Sequence, residues 1–369
     1  MDPASGGPPQ GIRNLAAELV RQGIEQEVVS LDPPGSPDQW NDAFLVHALG
    51  SRKTSWAWSA RLSPWLKTNL SRFDAVMVHG LWQYPAYAAR KACLAVGIPY
   101  FVMPHGMLDP WFQRDSSRRG KAFRNWIYWK LIEHKTIRDA EAVLFTCETE
   151  KLLAREPFRP YAPRKEITVG YGIEEPPSET PAEKEQLVRC CPELQDTPYL
   201  LFLSRIHPKK GLDLLIEAYA SHTNSIENGI IPALVIAGPG LDTPYGQECL
   251  DLCKKNKLPT TIPSLNTHRT QAAKNLPSVI FPGMVEGPLK WGALRNAEAF
   301  VLPSHQENFG IAVVESLACE TPVLISNRVN IWREIEAANA GLIADDTAKG
   351  CEELLQSWQT LSESERRTI

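Results

Sequence analysis

Several features are missing from this 369-residue sequence, and each absence narrows the class of protein. No stretch reaches the roughly 18 consecutive apolar residues that cross a membrane, and the N-terminus lacks the pattern of a signal peptide. The 39 lysines and arginines do not outnumber the 43 aspartates and glutamates, and this net charge of −4 argues against nucleic acid as the main partner. We therefore expect a cytoplasmic protein, with peripheral contact to the inner membrane face as the alternative.

The pairs of residues that usually bind metals are also absent. The eight cysteines form no Cys-x2-Cys pair and no histidine cluster accompanies them, so we expect no zinc. No Asp-x-Asp motif occurs, which disfavours a diphosphate bridged by a metal ion. We expect no metal and no cofactor, and we interpret most of the cysteines as small core residues in a reducing compartment.

What the chain does contain is an alternation of helical patterns with short apolar runs. Each run is β-branched or aromatic and is bounded by glycine, proline or aspartate, which is typical of a parallel sheet buried on both faces. The runs are residues 27–31, 75–79, 99–103, 142–146, 199–203, 233–237, 279–281, 299–302 and 322–326. They predict two doubly wound α/β domains.

The domain boundaries follow from a change in composition. Residues 174–198 are rich in Glu, Pro, Ser and Thr. We therefore predict an N-terminal domain over residues 1–175, a linker over 176–198 and a C-terminal domain over 199–369. Two such domains place ligands at the carboxyl ends of their strands, so the site is predicted to lie between them.

The most informative segment runs from Ser304 to Glu315 and carries two carboxylates, Glu307 and Glu315. Glu307 follows an apolar strand, Gly310 opens a helix, and Glu315 lies about a turn and a half into it. A diphosphate could bind at the helix start, because the N–H groups and the dipole there favour anions. The two carboxylates could then accept hydroxyl groups at either end of the ligand. A capped helix with two surface glutamates is the alternative.

The frame around these carboxylates is Phe300-Val301-Leu302-Pro303-Ser304, Glu307, Phe309-Gly310, Glu315-Ser316-Leu317-Ala318 and Thr321-Pro322-Val323. This frame resembles the signature of the retaining glycosyltransferases of family four. The resemblance covers nearly the whole chain and implies the GT-B fold, in which two Rossmann-like domains face each other across a cleft. It also implies that Glu307 holds the donor sugar, that Glu315 holds the ribose, and that the backbone of Phe309, Gly310 and Ile311 holds sugar and phosphate.

Arg205 and Lys210 follow the strand at residues 199–203. A planar guanidinium and an ammonium at a strand end could stabilise a leaving diphosphate electrostatically. A solvated basic loop is the alternative. The resemblance implies that these two residues bind the donor phosphates.

Histidines end two strands of the N-terminal half. His105 follows the run 99–103, and the resemblance implies that it contacts the donor sugar near the reaction centre, with a structural histidine as the alternative. His79 and Trp82 follow the preceding run and could line the acceptor side.

Glycine-containing loops complete the predicted donor site. The resemblance implies that Gly6 and Gly7 form a glycine loop near donor and acceptor, and that Gly238 and Met284 flank the nucleotide. The family normally has a strand before this glycine loop and a crossover helix after the last helix. We expect both to be missing from this chain.

Residues 118–138 combine seven basic residues with four aromatic ones. Such a helix could contact anionic lipid headgroups, or it could pack on its own domain with a solvated basic face. The packed helix is the interpretation we favour.

The leading hypothesis is a retaining hexosyltransferase. It would move a hexose from a nucleotide diphosphate sugar to a saccharide or lipid-linked acceptor, as in polysaccharide biosynthesis, without a metal. The rivals are a nucleotide-sugar epimerase or hydrolase on the same fold, and a truncated paralogue that binds nucleotide sugar without turnover.

Overall fold

A computed structural model describes Met1 and residues 7–36, 42–50, 53–114, 119–173, 175–225, 231–263 and 278–369 of the chain. The backbone divides into two compact units, unit 1 from Met1–Glu174 and unit 2 from Glu175–Ile369. Each unit is built on parallel β-strands connected by helices. None of the helices in the described ranges is both long enough and apolar enough to cross a membrane.

Unit 1 contains two groups of parallel strands. A two-stranded group pairs Glu27 with Leu45 and Ser30 with Ala48. A four-stranded sheet keeps its strands in chain order, so that His79 pairs with Met103 at one end. The strands are β1 (Glu27–Ser30), β2 (Leu45–Ala48), β3 (Val76–His79), β4 (Tyr100–Met103), β5 (Ala142–Phe145) and β6 (Glu166–Thr168).

Of the helices of unit 1, the third buries a row of small residues that includes Ala88, Ala89 and Ala92. The third helix has a proline in its first turn and ends at Gly97, whose φ of 81° is the left-handed cap that glycine favours. The helices are α1 (Gly7–Arg21), α2 (Leu62–Asn69), α3 (Tyr84–Val96), α4 (Trp111–Arg114), α5 (Arg119–Tyr128), α6 (His134–Asp139) and α7 (Glu148–Ala154), and a π-helical turn, Trp129–Glu133, joins α5 to α6.

Unit 2 is a seven-stranded parallel sheet whose inner strands are buried. Leu201, Phe300 and Leu324, on three neighbouring strands, have no exposed side-chain surface, as expected for a sheet covered on both faces. The strands are β7 (Tyr199–Leu203), β8 (Ala233–Ala237), β9 (Thr260–Thr261), β10 (Val279–Gly283), β11 (Ala299–Leu302), β12 (Val323–Ser326) and β13 (Gly341–Ala344). Their order across the sheet is β13–β12–β11–β7–β8–β10–β9.

Threonine caps begin two of the helices of unit 2. Thr243 accepts the N–H of Gly246 at 3.1 Å and Thr347 accepts the N–H of Gly350 at 3.0 Å, each contributing about 1 kcal/mol. The helices are α8 (Pro181–Cys190), α9 (Leu212–Ser225), α10 (Pro244–Lys255), α11 (Gly287–Arg295), α12 (Ile311–Ala318), α13 (Trp332–Ala337), α14 (Ala348–Thr360) and α15 (Glu363–Arg366).

The segment 176–198, predicted as a linker, is instead part of unit 2. It contains α8, whose Leu187 is buried, and Glu183 of α8 forms an ion pair with Arg295 of α11. The two helices approach so closely that a Cβ on Gly292 would lie 2.6 Å from the Glu183 carbonyl oxygen. The composition resembled a linker because the exposed face of α8 is polar.

All nine apolar runs predicted from the sequence are strands, with ends within two residues of the prediction. Four further strands, β2, β6, β9 and β13, were not predicted. Each lies at the edge of its sheet, and none is fully buried. Edge strands need no continuous apolar run, and for that reason they escaped the pattern.

Candidate active site

The order of the strands in unit 2 reverses between β7 and β11. From β7 the chain continues to β8 and β10 on one side, whereas β11 is followed by β12 and β13 on the other. Loops that leave such a reversal diverge and open a crevice at the carboxyl ends of the strands. The loops at this place are residues 204–211 after β7 and 303–310 after β11, and they carry Lys210 and Glu307.

Glycines let these loops lie against each other. A Cβ on Gly211 would lie 2.2 Å from the carbonyl oxygen of Pro303, and a Cβ on Gly238 would lie 2.0 Å from that of Ser204. Gly211 has a φ of 63° and Gly238 one of 139°, both in the range that favours glycine. Any side chain at either position would push the backbone of the neighbouring loop away.

Lys210 and Glu307 form a direct ion pair across the two loops, with the side chains 13% and 20% exposed. Burial alone would raise the pKa of Glu307, but the charge and hydrogen bond of Lys210 outweigh it and hold this pKa below its usual range. The Glu307 carboxylate also accepts the N–H of Asn308 at 3.0 Å. Glu307 is therefore ionised and held in one position.

The backbone of Glu307 is fixed as well. Its N–H donates to the Arg328 carbonyl and its own carbonyl accepts the Asn330 N–H, both at 3.0 Å. Gly310 follows with a φ of 81° and precedes α12, which begins at Ile311. Gly310 is thus the N-cap of α12 and Ile311 its first residue, which places the helix start next to the predicted Gly310. The first turn of a helix directs backbone N–H groups outward, where an anion can bind.

Glu315, one turn into α12, forms an ion pair with Lys290 of α11 at 2.9 Å. The ammonium of Lys290 also lies 4.0 Å from the ring centroid of Trp291. Sequence reasoning missed Lys290, because no motif marks it and its partner lies 25 residues further along the chain. A proposed ribose-binding carboxylate therefore has a cation beside it.

The other two cations of the loop after β7 differ in their surroundings. The Lys209 ammonium donates to the side-chain oxygen of Gln306 at 2.7 Å. Arg205 is exposed, and no described residue forms an ion pair with it. Arg205 is therefore accessible to an anion, as its predicted role requires.

Gly238 and Met284 follow β8 and β10, so both lie at the carboxyl ends of the strands of unit 2. The Gly238 N–H donates to the Gly283 carbonyl at 2.8 Å, which joins the two loops, and Met284 is 59% exposed. The structure thus brings Gly238, Met284, Arg205, Lys210 and the start of α12 to one edge of unit 2.

In unit 1, His79 and His105 lie side by side at the ends of β3 and β4. Nδ1 of His79 and Nε2 of His105 are 2.9 Å apart, and the rings stack with centroids 5.2 Å apart. Although His79 keeps contact with solvent, the protein atoms packed around it lower its pKa to about 4. Burial, and to a lesser degree His79, lowers the pKa of His105 to about 3. Both imidazoles are neutral at pH 7.

The loop that presents His105 is held by a buried carboxylate, Glu150. Glu150 accepts the N–H of Gly106 at 2.6 Å and both the N–H and the hydroxyl of Thr146 at 2.7 Å. His105 itself has a φ of 53°, which is uncommon for a residue with a side chain. Sequence reasoning missed Glu150, although its place in the first turn of a helix after β5 was visible.

Trp82, predicted on the acceptor side, is held by a second buried carboxylate. The backbone of Trp82 has a φ of 71°, and its N–H donates to Glu133 at 3.0 Å. Burial raises the pKa of Glu133 to about 7, although the Trp82 N–H opposes this rise. The ring of Trp82 packs against Phe158 with a centroid distance of 5.2 Å. The structure thus gives Trp82 a packing role beside the histidine pair.

Helix α1 begins close to the histidine pair. The hydroxyl of Tyr171 donates to the Gly7 carbonyl at 2.9 Å, and the Tyr171 ring meets that of His105 edge-on, with centroids 5.9 Å apart. A Cβ on Gly11 would overlap the Tyr171 hydroxyl. Gly7 therefore lies on the His105 side of unit 1, whereas Gly6 lies outside the described residues.

Two family models match the chain and together leave few residues outside. Residues 6–172 match the glycosyl transferase 4-like domain, and residues 191–369 match the glycosyl transferases group 1. The chain belongs to the group 1 glycosyl transferases. The predicted family is confirmed.

Solved structures of similar fold support the same architecture. A glycosyltransferase from Rickettsia africae matches with a TM-score of 0.70 at 15% identity, covering 100% of this chain and 89% of the other. HepE from Anabaena, solved with UDP and glucose, matches with a TM-score of 0.68 at 14% identity, covering 98% and 88%. These likenesses confirm the predicted fold class, α/β of the GT-B type with two Rossmann-like units.

Curated relatives match over shorter stretches. A D-inositol 3-phosphate glycosyltransferase of Gordonia bronchialis is 28% identical over 42% of this chain. A GDP-mannose-dependent phosphatidylinositol dimannoside mannosyltransferase of Mycobacterium tuberculosis is 27% identical over 46%. The chain spans 31% and 37% of the length of these two relatives.

Proposed function

We propose that this protein is a retaining glycosyltransferase that moves a hexose from a nucleotide diphosphate sugar to a saccharide or lipid-linked acceptor. The observation that carries the proposal is the Lys210–Glu307 ion pair at the reversal of the sheet, next to the start of α12. The names of the relatives, which include inositol-phosphate and phosphatidylinositol-mannoside glycosyltransferases, support the acceptor classes.

The chemistry assigned to unit 2 is electrostatic. As the bond from sugar to phosphate breaks, negative charge develops on the departing diphosphate. Arg205, Lys210 and the N–H groups at the start of α12 would stabilise that charge. Glu307 would accept hydrogen bonds from the sugar hydroxyls. Glu315 would accept hydrogen bonds from the ribose hydroxyls, which would take the place of Lys290. Since these groups supply positive charge themselves, we propose that the reaction needs no metal ion.

Retention would follow from attack on the same face from which the diphosphate leaves, with the departing phosphate accepting the acceptor's proton. His105 is neutral and can donate one hydrogen bond to a sugar hydroxyl while its other nitrogen accepts one. His79 and Trp82 would lie on the acceptor side. The gain from such positioned groups is typically about a hundredfold or more each.

The first test is a thermal-unfolding panel with UDP, GDP and ADP against the matching monophosphates. A ligand present at about 100 times its Kd stabilises the fold by about 2.7 kcal/mol, which raises Tm by several degrees. We expect one diphosphate to raise Tm clearly more than its monophosphate, and Arg205→Ala to reduce that rise. Lys255→Ala, an exposed lysine on α10, is the matched control and should leave the rise unchanged. Equal effects of mono- and diphosphates would contradict the assignment.

The second test identifies the reaction. The matching nucleotide sugar is incubated with candidate acceptors, with and without a chelator, and products are followed by NMR. A glycoside with the anomeric configuration of the donor, formed equally with chelator, is the expected result. Free hexose alone would indicate a hydrolase, a changed sugar an epimerase, and donor binding without any product a paralogue that has lost turnover.

A further inference from the structure

The helix α5 and the π-helical turn after it expose an apolar face that no described residue covers. Phe123 is 64% exposed, Trp126 48%, Ile127 39% and Leu131 63%. These positions fall at i, i+3, i+4 and i+8, so they share one side of the helix. The rings of Phe123 and Trp126 stack with centroids 6.2 Å apart. We call these four residues the apolar strip.

The opposite side of the same segment anchors it to unit 1. Trp129 is fully buried, and its indole N–H donates to the Pro160 carbonyl at 3.0 Å. The Tyr128 hydroxyl accepts the indole N–H of Trp56 at 2.8 Å. Ile137, further along the segment, is fully buried as well, so this side of the segment packs as the favoured interpretation expects. The apolar strip is held outward by a fixed helix.

Within residues 119–138 the exposed charges have a single sign. Arg119, Lys121, Arg124 and Lys130 are all exposed. Between residues 119 and 138 the only carboxylate is Glu133, which is completely buried. The ammonium of Lys130 lies 5.9 Å from the centroid of the Trp126 ring, so charge and aromatic surface adjoin. This local positive surface contrasts with the net charge of −4 of the whole chain.

We propose that this face docks on an anionic lipid bilayer, with the apolar strip inserted among the headgroups and the four cations on the lipid phosphates. A helix with aromatic and aliphatic residues on one side and only cations beside them has the chemistry of an interfacial helix. Protein interfaces are depleted in lysine, and a nucleic-acid backbone offers nothing for Ile127 and Leu131 to bury against. This inference goes beyond the proposed function and does not depend on it.

The experiment measures flotation of the whole chain with vesicles, without donor or acceptor. One set of vesicles is neutral phosphatidylcholine, and the other contains about a third anionic phosphatidylglycerol. We expect binding to the anionic vesicles only, weakened by added salt. Each Lys or Arg near such a surface contributes roughly fivefold in affinity, so Lys121→Gln/Arg124→Gln/Lys130→Gln should weaken binding by about a hundredfold.

A second variant tests the apolar strip separately. Phe123→Ser/Trp126→Ser/Leu131→Ser should weaken binding by at least about tenfold, because insertion of the three side chains is lost. The matched controls are Lys67→Gln/Lys91→Gln/Lys255→Gln for charge and Leu94→Ser/Val96→Ser/Leu152→Ser for exposed apolar residues, and both should bind as the unchanged chain does. Because every changed residue is exposed, circular dichroism should show an unaltered fold.

Three results would overturn the proposal. One is no binding to anionic vesicles, or equal binding to neutral ones. Another is binding that also occurs with heparin and is insensitive to the serine variant, which would indicate a general polyanion surface. The third is self-association, measured by sedimentation, that the serine variant abolishes while vesicles stay unbound, since the face would then bind a second copy of the chain. If the unchanged chain failed to float with anionic vesicles but still transferred sugar, this inference would be overturned and the proposed function would stand.

Discussion

At the carboxyl ends of its strands, unit 2 carries ion pairs, Lys210 with Glu307 and Lys290 with Glu315, whereas unit 1 carries two neutral imidazoles, His79 and His105. The paired charges suit a ligand that carries both a diphosphate and hydroxyl groups, because the diphosphate can bind Lys210 and the ribose hydroxyls can take the place of Lys290 at Glu315. Neutral imidazoles suit hydroxyl groups, to which they can donate and from which they can accept. The two units thus offer different chemistry on similar parallel sheets.

The two units also position these side chains differently. In unit 2 the loops are held mainly by backbone hydrogen bonds and by glycines that allow close approach, as at Gly211. In unit 1 buried carboxylates hold backbone N–H groups, Glu150 that of Gly106 and Glu133 that of Trp82. Trp82, whose N–H Glu133 accepts, and His105, which precedes Gly106, both have positive φ. Unit 1 therefore keeps strained backbone in place with buried side chains.

The largest effect is expected from breaking the ion pair of unit 2. Glu307→Gln removes the negative charge that Lys210 and the proposed donor sugar both contact, while leaving the shape of the side chain. We expect kcat/KM for transfer to fall by about a thousandfold, with Tm within a few degrees of the unchanged chain. Glu217→Gln, an exposed glutamate on α9, is the control. Turnover close to normal in Glu307→Gln would remove Glu307 from the site.

The next prediction concerns Glu133, a buried carboxylate of unit 1, and the pH dependence of the free energy of unfolding. Since the folded pKa of Glu133 is raised from 4.5 to about 7, the folded chain holds a proton that the unfolded chain releases. The stability due to this group is full below pH 4.5 and is lost as pH rises toward 7, by about 3 kcal/mol. Glu133→Gln should therefore match the unchanged chain at low pH and exceed it by that amount at pH 8, measured by denaturant unfolding.

The sign of this pH effect separates the two units. The pKa of Glu307 is held low by Lys210, so its contribution to stability is present above its usual pKa and is lost as pH falls. Glu307→Gln should therefore be less stable than the unchanged chain above pH 4.5 and approach it as the pH falls. Glu133→Gln should show the opposite change, with a gain in stability as the pH rises. If both variants changed the pH dependence in the same direction, the contrast between the units would be wrong.

Removing an imidazole from unit 1 should have a slightly smaller effect. In His105→Asn the new residue tolerates the positive φ, so the loop geometry is kept. We expect transfer to slow by about a hundredfold with little change in diphosphate binding. Because the pKa values of His79 and His105 lie at about 4 or below, neither of these two histidines should titrate in the rate of the unchanged chain between pH 5 and 8. His47→Asn, on β2, is the matched control.

The smallest effect is expected from the second ion pair of unit 2. Glu315→Gln should weaken nucleotide diphosphate binding by about tenfold, through one lost charge-assisted hydrogen bond. Lys290→Ala leaves Glu315 unpaired and available to the ribose, so its effect should be weaker than that of Glu315→Gln. Isothermal titration with the diphosphate selected by the thermal panel measures both. A larger loss in Lys290→Ala would assign the ligand contact to the lysine.

Sequence patterns located the residues that lie close to a strand end. Glu307, Lys210 and His105 each follow a buried apolar run by a few residues, and Gly310 marks the start of a helix. The residues that hold them were missed because their contacts are distant in sequence. Glu150 reaches Gly106 across 44 residues, and Glu133 reaches Trp82 across 51. The segment 176–198 was predicted to be a linker for the same reason, because the contact that joins it to unit 2, Glu183 with Arg295, spans 112 residues.

What the sequence determined by itself is local: which runs become inner strands, where helices begin, and which charged or imidazole side chains follow strand ends. The family resemblance added the expected roles. Only the tertiary structure decided the partners, because parallel pairing brings strand ends to one edge of a sheet however far apart they lie in the chain. It also decided which side of α5 faces outward, since Trp129 is buried whereas Trp126, three residues earlier, is exposed. The sequence pattern treats the two tryptophans alike, and only packing against the rest of unit 1 decides which of them is buried.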